Sequence, residues 1–416
     1  MSQNLAGHQI TRLVVESPDG ERRQSLAPQS GLIAFYENVT DSSVHLEVDI
    51  QDTFGFLHQI PIRAGSKLYV TITHPSGEFR YEEFPLIISD IRGQVNSPKR
   101  EQYTLICETA GAFNNHMVRV SRKYKGKISN SIKKILKQEL LVSDDRIVEV
   151  EDSANEYDFM GNYRKPLFTC TWLCSKARTG SSSLTTGSAG FLFYETMDGY
   201  NFRAIDTILS NTENVPFFFY SQTTDGMDPA NSFRMTAPPR WESSHDLLNK
   251  LRRGAYKSAN MYFDINTRSV TEHLYDYRKT VKENMISISN DEANIPENYI
   301  DRPSRRMLSI LDAGCIADKG DLTSPQDQPF YQSQAAARYS SLFSQSLEIT
   351  VPMNLSLRAG QMVQCEVPKI NTQKADLGKS PSSGFYMIRS LSHKFSGADA
   401  DVTALSLVRD SYRELS

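Results

Sequence analysis

Both ends of this chain carry apolar residues at every second position, and this alternation limits the folds that the chain can adopt. Strands with one buried face alternate apolar and polar side chains in this way. The alternating apolar positions are Val44, Leu46, Val48 and Ile50; Leu68, Val70 and Ile72; Leu86 and Ile88; Tyr103, Leu105 and Cys107; Leu347, Ile349 and Val351; Val363, Cys365 and Val367; Tyr386 and Ile388; Leu405 and Leu407. The pattern predicts an antiparallel barrel or sandwich at each end of the chain.

The two β regions also share a repeated pattern. Arg63-Ala64-Gly65 matches Arg358-Ala359-Gly360, and in both copies apolar residues follow at five, seven and nine positions past the arginine. We take Arg63, Gly65, Arg358 and Gly360 as the residues that define this repeat. We interpret it as a duplicated small β-barrel. The alternative interpretation is that the match reflects no duplication, because any two β regions with apolar residues at every second position have similar sequences.

The middle of the chain combines helical and strand patterns with polar stretches. The predicted elements are a helix that Ser129 and Asn130 can cap and that reaches Leu140, a helix over Thr171 to Arg178, a hairpin turn at Asp198-Gly199 and a short amphipathic helix over Trp241 to Arg253. Residues 286 to 330 are rich in Asn, Asp, Pro, Ser and Gln, which predicts a loop-rich segment.

These patterns predict a β-rich α+β fold in which two similar small antiparallel β-barrels carry inserted α/β domains. The predicted divisions are a first barrel at residues 1–110, an α/β insert at 111–205, the start of the second barrel and a helix at 206–255, a loop-rich insert at 256–340 and the remainder of the second barrel at 341–416.

Composition narrows the classes of function. The chain has 416 residues with 46 basic and 49 acidic side chains, so its net charge of −3 argues against a dedicated nucleic-acid coat protein. Five widely spread cysteines suggest free thiols in a reducing compartment. The amino terminus lacks the apolar region of an export signal, and Val215 to Tyr220, the densest apolar stretch, is too short for a membrane helix. We expect a soluble product without a membrane segment.

Candidate reactive groups are more simply read as structural. The eight histidines are dispersed, and Cys170 and Cys174, which would share a helix face, have no second Cys or His pair nearby. The acidic candidates for glycan hydrolysis are Glu82-Glu83, Asp144-Asp145 and Glu149 with Glu151, all interpreted as solvated. Neither a nucleophile elbow nor a phosphate loop is present. We therefore predict a non-enzymatic protein without a catalytic residue, cofactor or metal site.

A basic stretch between Arg119 and Lys137 is a candidate interface. Its first members are Arg119, Arg122, Lys123, Lys125 and Lys127. Such a run of basic residues can be a solvated face, a contact for an acidic protein or a site that binds the phosphates of nucleic acid. Tyr124 is the only aromatic residue among these positions, which is little provision for stacking on single strands. We rank the solvated face first, the protein contact second and nucleic acid third.

Several segments resemble a known protein family. These are LIAFYENVTDSSVHLEVDIQDTFGFLHQIPIRAGSKLYVTIT, FPLIISDI, YTLICET and FLFYETMDGYNFRAI, and, near the carboxyl end, LEITVPMNLSLRAGQMVQCEVP, SGFYMIRSLSHKF and TALSLVRDSY. Together they look like the baseplate central hub proteins of T-even-type contractile-tailed bacteriophages, which are related to the hub part of type VI secretion spike proteins. The resemblance covers most of the chain and is a pattern match without a catalytic signature.

The resemblance implies a homotrimer whose protomer carries two similar tail-tube-like barrels, so that the ring meets a sixfold tail tube on one side and a trimeric cell-puncturing spike on the other. It implies that the spike is a separate polypeptide and that tail tube or tube-initiator proteins are partners. DNA would pass through the channel without being specifically bound. The protein would be made in the host cytoplasm and end in the virion. The rival functions are a tail-associated cell-envelope hydrolase and a nucleic-acid-binding virion protein.

Overall fold

The structure is a computed structural model that describes most of the chain. The described residues are 7–59, 62–97, 99–180, 188–220, 234–243, 247–265, 267–277, 279, 302–311, 328–367, 380, 382–396 and 400–410.

Strands dominate both ends of the chain. In the first part they are β1 (Gln9–Glu16), β2 (Arg23–Ser25), β3 (Ser30–Asn38), β4 (His45–Asp52), β5 (Lys67–His74), β6 (Gly77–Ser97) and β7 (Arg100–Glu108). In the middle they are β8 (Lys123–Tyr124), β9 (Ile147–Val150), β10 (Phe159–Met160), β11 (Phe191–Thr196), β12 (Gly199–Ala204), β13 (Phe217–Phe219), β14 (Arg240–Ser243), β15 (Lys257–Asp264), β16 (Ser269–Asp276) and β17 (Arg305–Ile310). The last are β18 (Gln345–Pro352), β19 (Met362–Glu366), β20 (Gly384–Phe395) and β21 (Val402–Arg409).

The helices lie mainly between the two β regions. They are α1 (Phe56–Gln59), α2 (Ala110–Met117), α3 (Ile128–Lys134), α4 (Pro166–Cys174), α5 (Ile205–Ser210), α6 (Leu247–Arg253) and α7 (Gln328–Leu342). A π-helical turn, Ile135–Glu139, continues α3, and 3-10 turns cover Ala27–Gln29 and Asp144–Arg146. None of the described helices has both the length and the apolar composition that crossing a bilayer demands.

One thirteen-stranded sheet joins the two ends of the chain. Its order is β14-β18-β21-β20-β3-β4-β7-β6-β5-β1-β2, with β19 and then β13 attached to β20. The period-two alternation explains this sheet, because the inward positions of β4, Leu46, Val48 and Ile50, are all buried while their neighbours are at least partly exposed. Each end has its own apolar core. The predicted β-rich fold is confirmed.

The same strand order and register occur twice in this sheet. In the first half β4 pairs with β7, with Leu46 opposite Cys107. In the second half β18 pairs with β21, with Leu347 opposite Leu407. The next strand also repeats, since a register shift after Ile88 in the β6–β7 pair has its counterpart after Ile388 in the β20–β21 pair. A chance likeness between two β regions does not predict a shared bulge at the same place.

The middle region has its own core and differs locally from the sequence expectations. The helix expected over Thr171 to Arg178 is α4, which begins five residues earlier at Pro166, because proline is well suited to the first turn of a helix. The expected cap residue Ser129 is instead buried inside α3, where its hydroxyl donates to Asp152 at 2.9 Å. The hairpin predicted at Asp198-Gly199 joins β11 to β12.

The helix expected over Trp241 to Arg253 is divided between two elements. Arg240–Ser243 forms β14, in which Trp241 lies opposite Leu347 of β18, and only Leu247–Arg253 is helical. Pairing with a distant strand outweighs the local helical spacing here, since strand preference depends strongly on tertiary neighbours. The segment 256–340, for which the sequence predicts a loop-rich insert, contains among its described residues a second sheet in the order β16-β15-β17, against which α7 packs. Residues 286–301 and 312–327 of the predicted loop-rich segment lie outside the described residues.

Candidate assembly site

The two turns that define the repeat have the same geometry. The amide N–H of Gly65 donates to the carbonyl of Ile88 at 2.8 Å, and the amide N–H of Gly360 donates to the carbonyl of Ile388 at 2.8 Å. Each isoleucine amide donates in return to the residue after the glycine, at 2.9 Å in both copies. The glycines have φ of +94° and +79°, a region that favours glycine. The matched triplets therefore build one turn twice.

The surroundings of the two turns differ. The side chain of Arg63 is exposed, whereas the guanidinium of Arg358 binds both carboxylate oxygens of Asp198, at 2.6 and 3.0 Å. Asp198 lies in the hairpin turn between β11 and β12. The second copy of the turn is thus fastened to the inserted region.

The two repeats are joined directly by strand pairing. The last six residues of β20, Ser390–Phe395, pair antiparallel with Ile33–Asn38 of β3, and His393 lies opposite Phe35. These two rings stack with their centroids 6.5 Å apart. The edge of one repeat is therefore covered by the other, and the two form one continuous sheet.

A buried carboxylate lies at this junction. Glu37 in β3 is 1% exposed and accepts the amide N–H groups of Met197 at 2.6 Å and Ala359 at 2.8 Å. It thereby connects the first repeat, the hairpin of the insert and the turn of the second repeat. The sequence pattern did not single out Glu37. Its position two residues after Phe35 and four after Ile33 places it on the same strand face as these apolar residues, and an acidic residue on such a face indicates a buried carboxylate.

A second buried carboxylate, Glu195 in β11, ties the insert to the first repeat. It is 1% exposed and accepts the Thr109 hydroxyl at 3.0 Å, the Val44 amide at 3.3 Å and the Arg146 guanidinium at 3.3 Å. Arg146 also donates to the carbonyl of Met197 at 2.5 Å. Buried charges are retained in proteins when they are paired and hydrogen-bonded, as this one is.

Burial shifts the protonation equilibria at the junction. It raises the pKa of Glu37 and of Glu195 to about 7, against the opposing effects of the Arg358 and Arg146 charges respectively. Burial also lowers the pKa of His393 to about 3. The folded protein therefore titrates two carboxyl groups near neutral pH.

We expect the free energy of unfolding to rise by about 2 kcal/mol when the pH falls from about 8 to about 6. The two glutamates have a pKa of about 7 in the folded state and 4.5 in an ordinary environment, so the folded state binds protons that the unfolded state does not. This stabilisation is complete below pH 4.5 and is lost as the pH rises through 7. His393 acts in the opposite direction below its ordinary pKa of 6.5.

Urea unfolding at a series of pH values measures this effect. Glu37→Gln is expected to remove more than half of the dependence on pH, because Glu195 still titrates but His393 offsets much of its contribution. Equal stability of the unaltered protein at pH 6 and pH 8 would contradict the assignment.

Three cations of the basic stretch pair with nearby acidic groups. Arg122 approaches Glu139 at 3.3 Å, Lys127 approaches Asp152 at 2.5 Å, and Lys137 forms an ion pair with Asp144. The Arg119 guanidinium donates to the carbonyls of residues 116 and 118, and Lys123 and Lys125 also have interacting partners. These pairs are partly exposed and contribute little stability. The positive charge of the stretch is therefore compensated in part by acidic side chains of the same chain.

The cysteine pair is structural. Cys170 and Cys174 lie on one face of α4, and the Cys174 thiol donates to the carbonyl of Cys170 at 3.4 Å. Burial raises the pKa of both thiols, which disfavours the reactive thiolate. Over the residues that the structure describes, no group of three metal-ligating side chains occurs.

An open cleft brings several acidic candidates together. Its lining includes Glu82, Glu83, Asp145 and Asp198. Arg80 approaches the two glutamates at 3.5 and 4.0 Å, and the hydrogen bond from Thr71 lowers the pKa of Glu82. Glycoside hydrolysis requires one carboxyl with a raised pKa to act as the acid. Glu82 is shifted in the opposite direction.

The other acidic candidates have partners within the insert. Glu149 pairs with Arg203 at 2.9 Å. Glu151 accepts the Ala204 amide at 2.8 Å and the Thr207 hydroxyl at 2.7 Å. These contacts hold β9 and the start of α5 in place.

Fold and site together show two β regions that share a strand order and register, are joined edge to edge in one sheet and contact the inserted region through buried polar groups. Neither a protein-family model nor a curated protein matches the chain. Solved structures of tail proteins share its fold over almost the whole length.

Three of these structures show the extent of the similarity. A tail protein from Neisseria meningitidis MC58 has a TM-score of 0.57 at 11% identity and covers 97% of both chains. The 43 kDa tail protein of prophage MuSo2 from Shewanella oneidensis has a TM-score of 0.53 at 9% identity and covers 96% of this chain and 98% of its own. A prophage tail protein from Listeria monocytogenes EGD-e has a TM-score of 0.50 at 9% identity, with 95% and 94% covered. The chain has the tail-protein fold that its sequence resemblance predicted.

Proposed function

We propose that this protein is a structural component of a phage tail, a trimeric baseplate hub that adapts a sixfold tail tube to a threefold cell-puncturing spike and leaves a channel for DNA. The observation that carries this proposal is that one strand order and register occurs twice and is joined edge to edge in one sheet. The shared fold with tail proteins supports it.

Duplication gives the proposed ring its symmetry. A chain with two equivalent barrels contributes two wall segments, so three chains present a ring that is close to sixfold on the tube side and threefold on the spike side. We propose that the barrels at 1–110 and at 206–255 with 341–416 form this wall, and that the inserts at 111–205 and 256–340 lie outside it. The tube proteins and a separate spike polypeptide are the proposed partners.

The charge distribution fits a conduit that does not bind DNA specifically. The net charge is −3, and the basic stretch belongs to the insert at 111–205, which we place outside the wall. A wall with many free cations would bind phosphates and slow the passage of DNA. We propose that the basic stretch is a solvated face or a protein contact.

Size-exclusion chromatography with light scattering tests the proposal. We expect a mass three times that of the 47.0 kDa protomer, and electron microscopy down the particle axis should show six similar lobes around a hole. A stable monomer at micromolar concentration would contradict the hub. Hydrolysis of peptidoglycan by the purified protein would favour the envelope hydrolase instead, and tight filter binding of DNA with a steep salt dependence would favour the nucleic-acid binder.

A further inference from the structure

The two repeats pair through β3 and β20. The strands that correspond to these two, each in the opposite repeat, are not paired with each other within the chain. In the second repeat, β20 has β21 along one side, while its other side is covered first by β19 and then by β3. In the first repeat, β6 has β7 along one side, and β5 covers only Gly77–Ile87 of the other side. Among the described strands, none pairs with the outer side of β6 beyond this point.

The free part of β6 is exposed. Asp90, Arg92 and Val95 are all open to solvent, and Val95 is 61% exposed. A strand edge with unpaired backbone groups is a template for another strand. The segment of β20 that corresponds to this free edge, Ser390–Phe395, is paired with β3.

The sheet also ends in a strand that corresponds to β3. Phe35 of β3 lies opposite Leu46, and Trp241 of β14 lies opposite Leu347, the equivalent leucine of the second repeat. β14 is the last strand of its side of the sheet, so its outer edge is unpaired among the described strands. Inside the chain, β3 pairs with β20. Among the described strands, the equivalent edge of β14 and the equivalent edge of β6 are both left unpaired.

We propose that the free edge of β6 pairs antiparallel with β14 of a second copy of this chain. This inference rests on the proposed function and deepens it, since it names the strands that close the ring. The two edges lie seven strand spacings apart in the sheet order, which is roughly 34 Å along the sheet, so the contact forms between chains. One edge of each kind per chain makes a head-to-tail contact, the type that closes rings.

The internal pairing also fixes the register of the proposed contact. Lys394 of β20 lies opposite Ala34 of β3. Val95 is the equivalent of Lys394, because Val95 pairs with Gln102 of β7 and Lys394 with Val402 of β21. A second register shift, between Arg92 and Val95, has no counterpart in β20 and moves the equivalent position in β6 by one residue.

The equivalent of Ala34 completes the pair. Ala34 lies opposite Glu47, and Arg240 lies opposite Glu348, which occupies the same place in the second repeat. The geometry therefore points to Val95 of one copy opposite Arg240 of the next.

Engineered disulfides test this register. In a Cys315→Ser background, Val95→Cys with Arg240→Cys should give covalent oligomers under mild oxidation, since the two Cβ atoms would lie at cross-strand distance. The cysteines described in the structure, Cys107, Cys170, Cys174 and Cys365, are buried and should not interfere. Coexpressed chains that each carry only one of the two cysteines should form a covalent dimer, which proves that the bond joins two copies.

The matched control is Arg92→Cys with Arg240→Cys, which uses the same strands with one partner displaced by two register positions, because Arg92 pairs with Thr104 and Val95 with Gln102. We expect about one tenth of the cross-linking, because diagonal Cα atoms lie about 7–8 Å apart, beyond the usual disulfide reach. An oligomer that cross-links equally in both variants, or in neither, overturns the proposed pairing and leaves the hub proposal standing. A chain that remains monomeric overturns the hub proposal itself.

Discussion

Replacing Arg338 with leucine is expected to lower the free energy of unfolding by about 3–5 kcal/mol. The Arg338 side chain in α7 is 1% exposed and lies 2.6 Å from Asp206 at the start of α5 and 3.2 Å from Asp410 just after β21. Asp410 is fully buried. Leucine leaves both carboxylates without their shared cation in a region that water does not reach, and this accounts for the large effect.

Urea unfolding of three variants separates the buried charge from the loss of packing. Arg338→Leu combined with Asp206→Asn and Asp410→Asn should recover part of the stability, because the uncompensated carboxylates are then gone. Arg80→Leu, at a 51% exposed side chain that pairs with Glu82 away from the proposed contact between copies, serves as the surface control and should cost less than about 1 kcal/mol. Equal losses at Arg338 and Arg80 would contradict the buried network.

Gly360→Ala is expected to cost about 3 kcal/mol, whereas the equivalent change Gly65→Ala should cost about 1 kcal/mol. Both glycines have positive φ, so both variants strain the backbone. A Cβ on Gly360 would lie 2.2 Å from the hydroxyl of Tyr194, a fully buried side chain of β11, while a Cβ on Gly65 has no atom within 4 Å.

The two repeats thus supply their own matched control. The difference between the two free energies of unfolding measures how tightly the insert packs on the second turn. If thermal and urea unfolding gave the same loss for both variants, close contact between Tyr194 and the turn would be excluded.

Much of the fold could be predicted from the residues. Alternation in segments such as Leu46 to Ile50 predicts strands with one buried face. Residues that the repeat matches between the two copies, such as Leu105 and Leu405, also occupy the same place in their strand pairs. These features depend on side chains a few positions apart. Element boundaries were less secure, as at Trp241, where a strand partner more than one hundred residues away overrides a helical pattern.

The buried charges of the junction could not be predicted in the same way. Glu37, Glu195 and Arg338 belong to no motif, and each is held by partners far away in the chain. The same holds for the partners of the basic stretch. Its sequence leaves a solvated face, a protein contact and phosphate binding open, and only the structure shows that Asp152 and Glu139 are folded against it.

The amino-acid sequence by itself determined the strands, the two matching turns and the existence of a repeat, because alternation and turn formation depend on neighbouring residues. Only the tertiary structure decided that β3 and β20 meet and that Glu37 and Arg338 are compensated where they are buried. It also decided which edges, of β6 and β14, remain open among the described strands. These outcomes depend on which distant segments come together in space, and a local pattern carries no information on that.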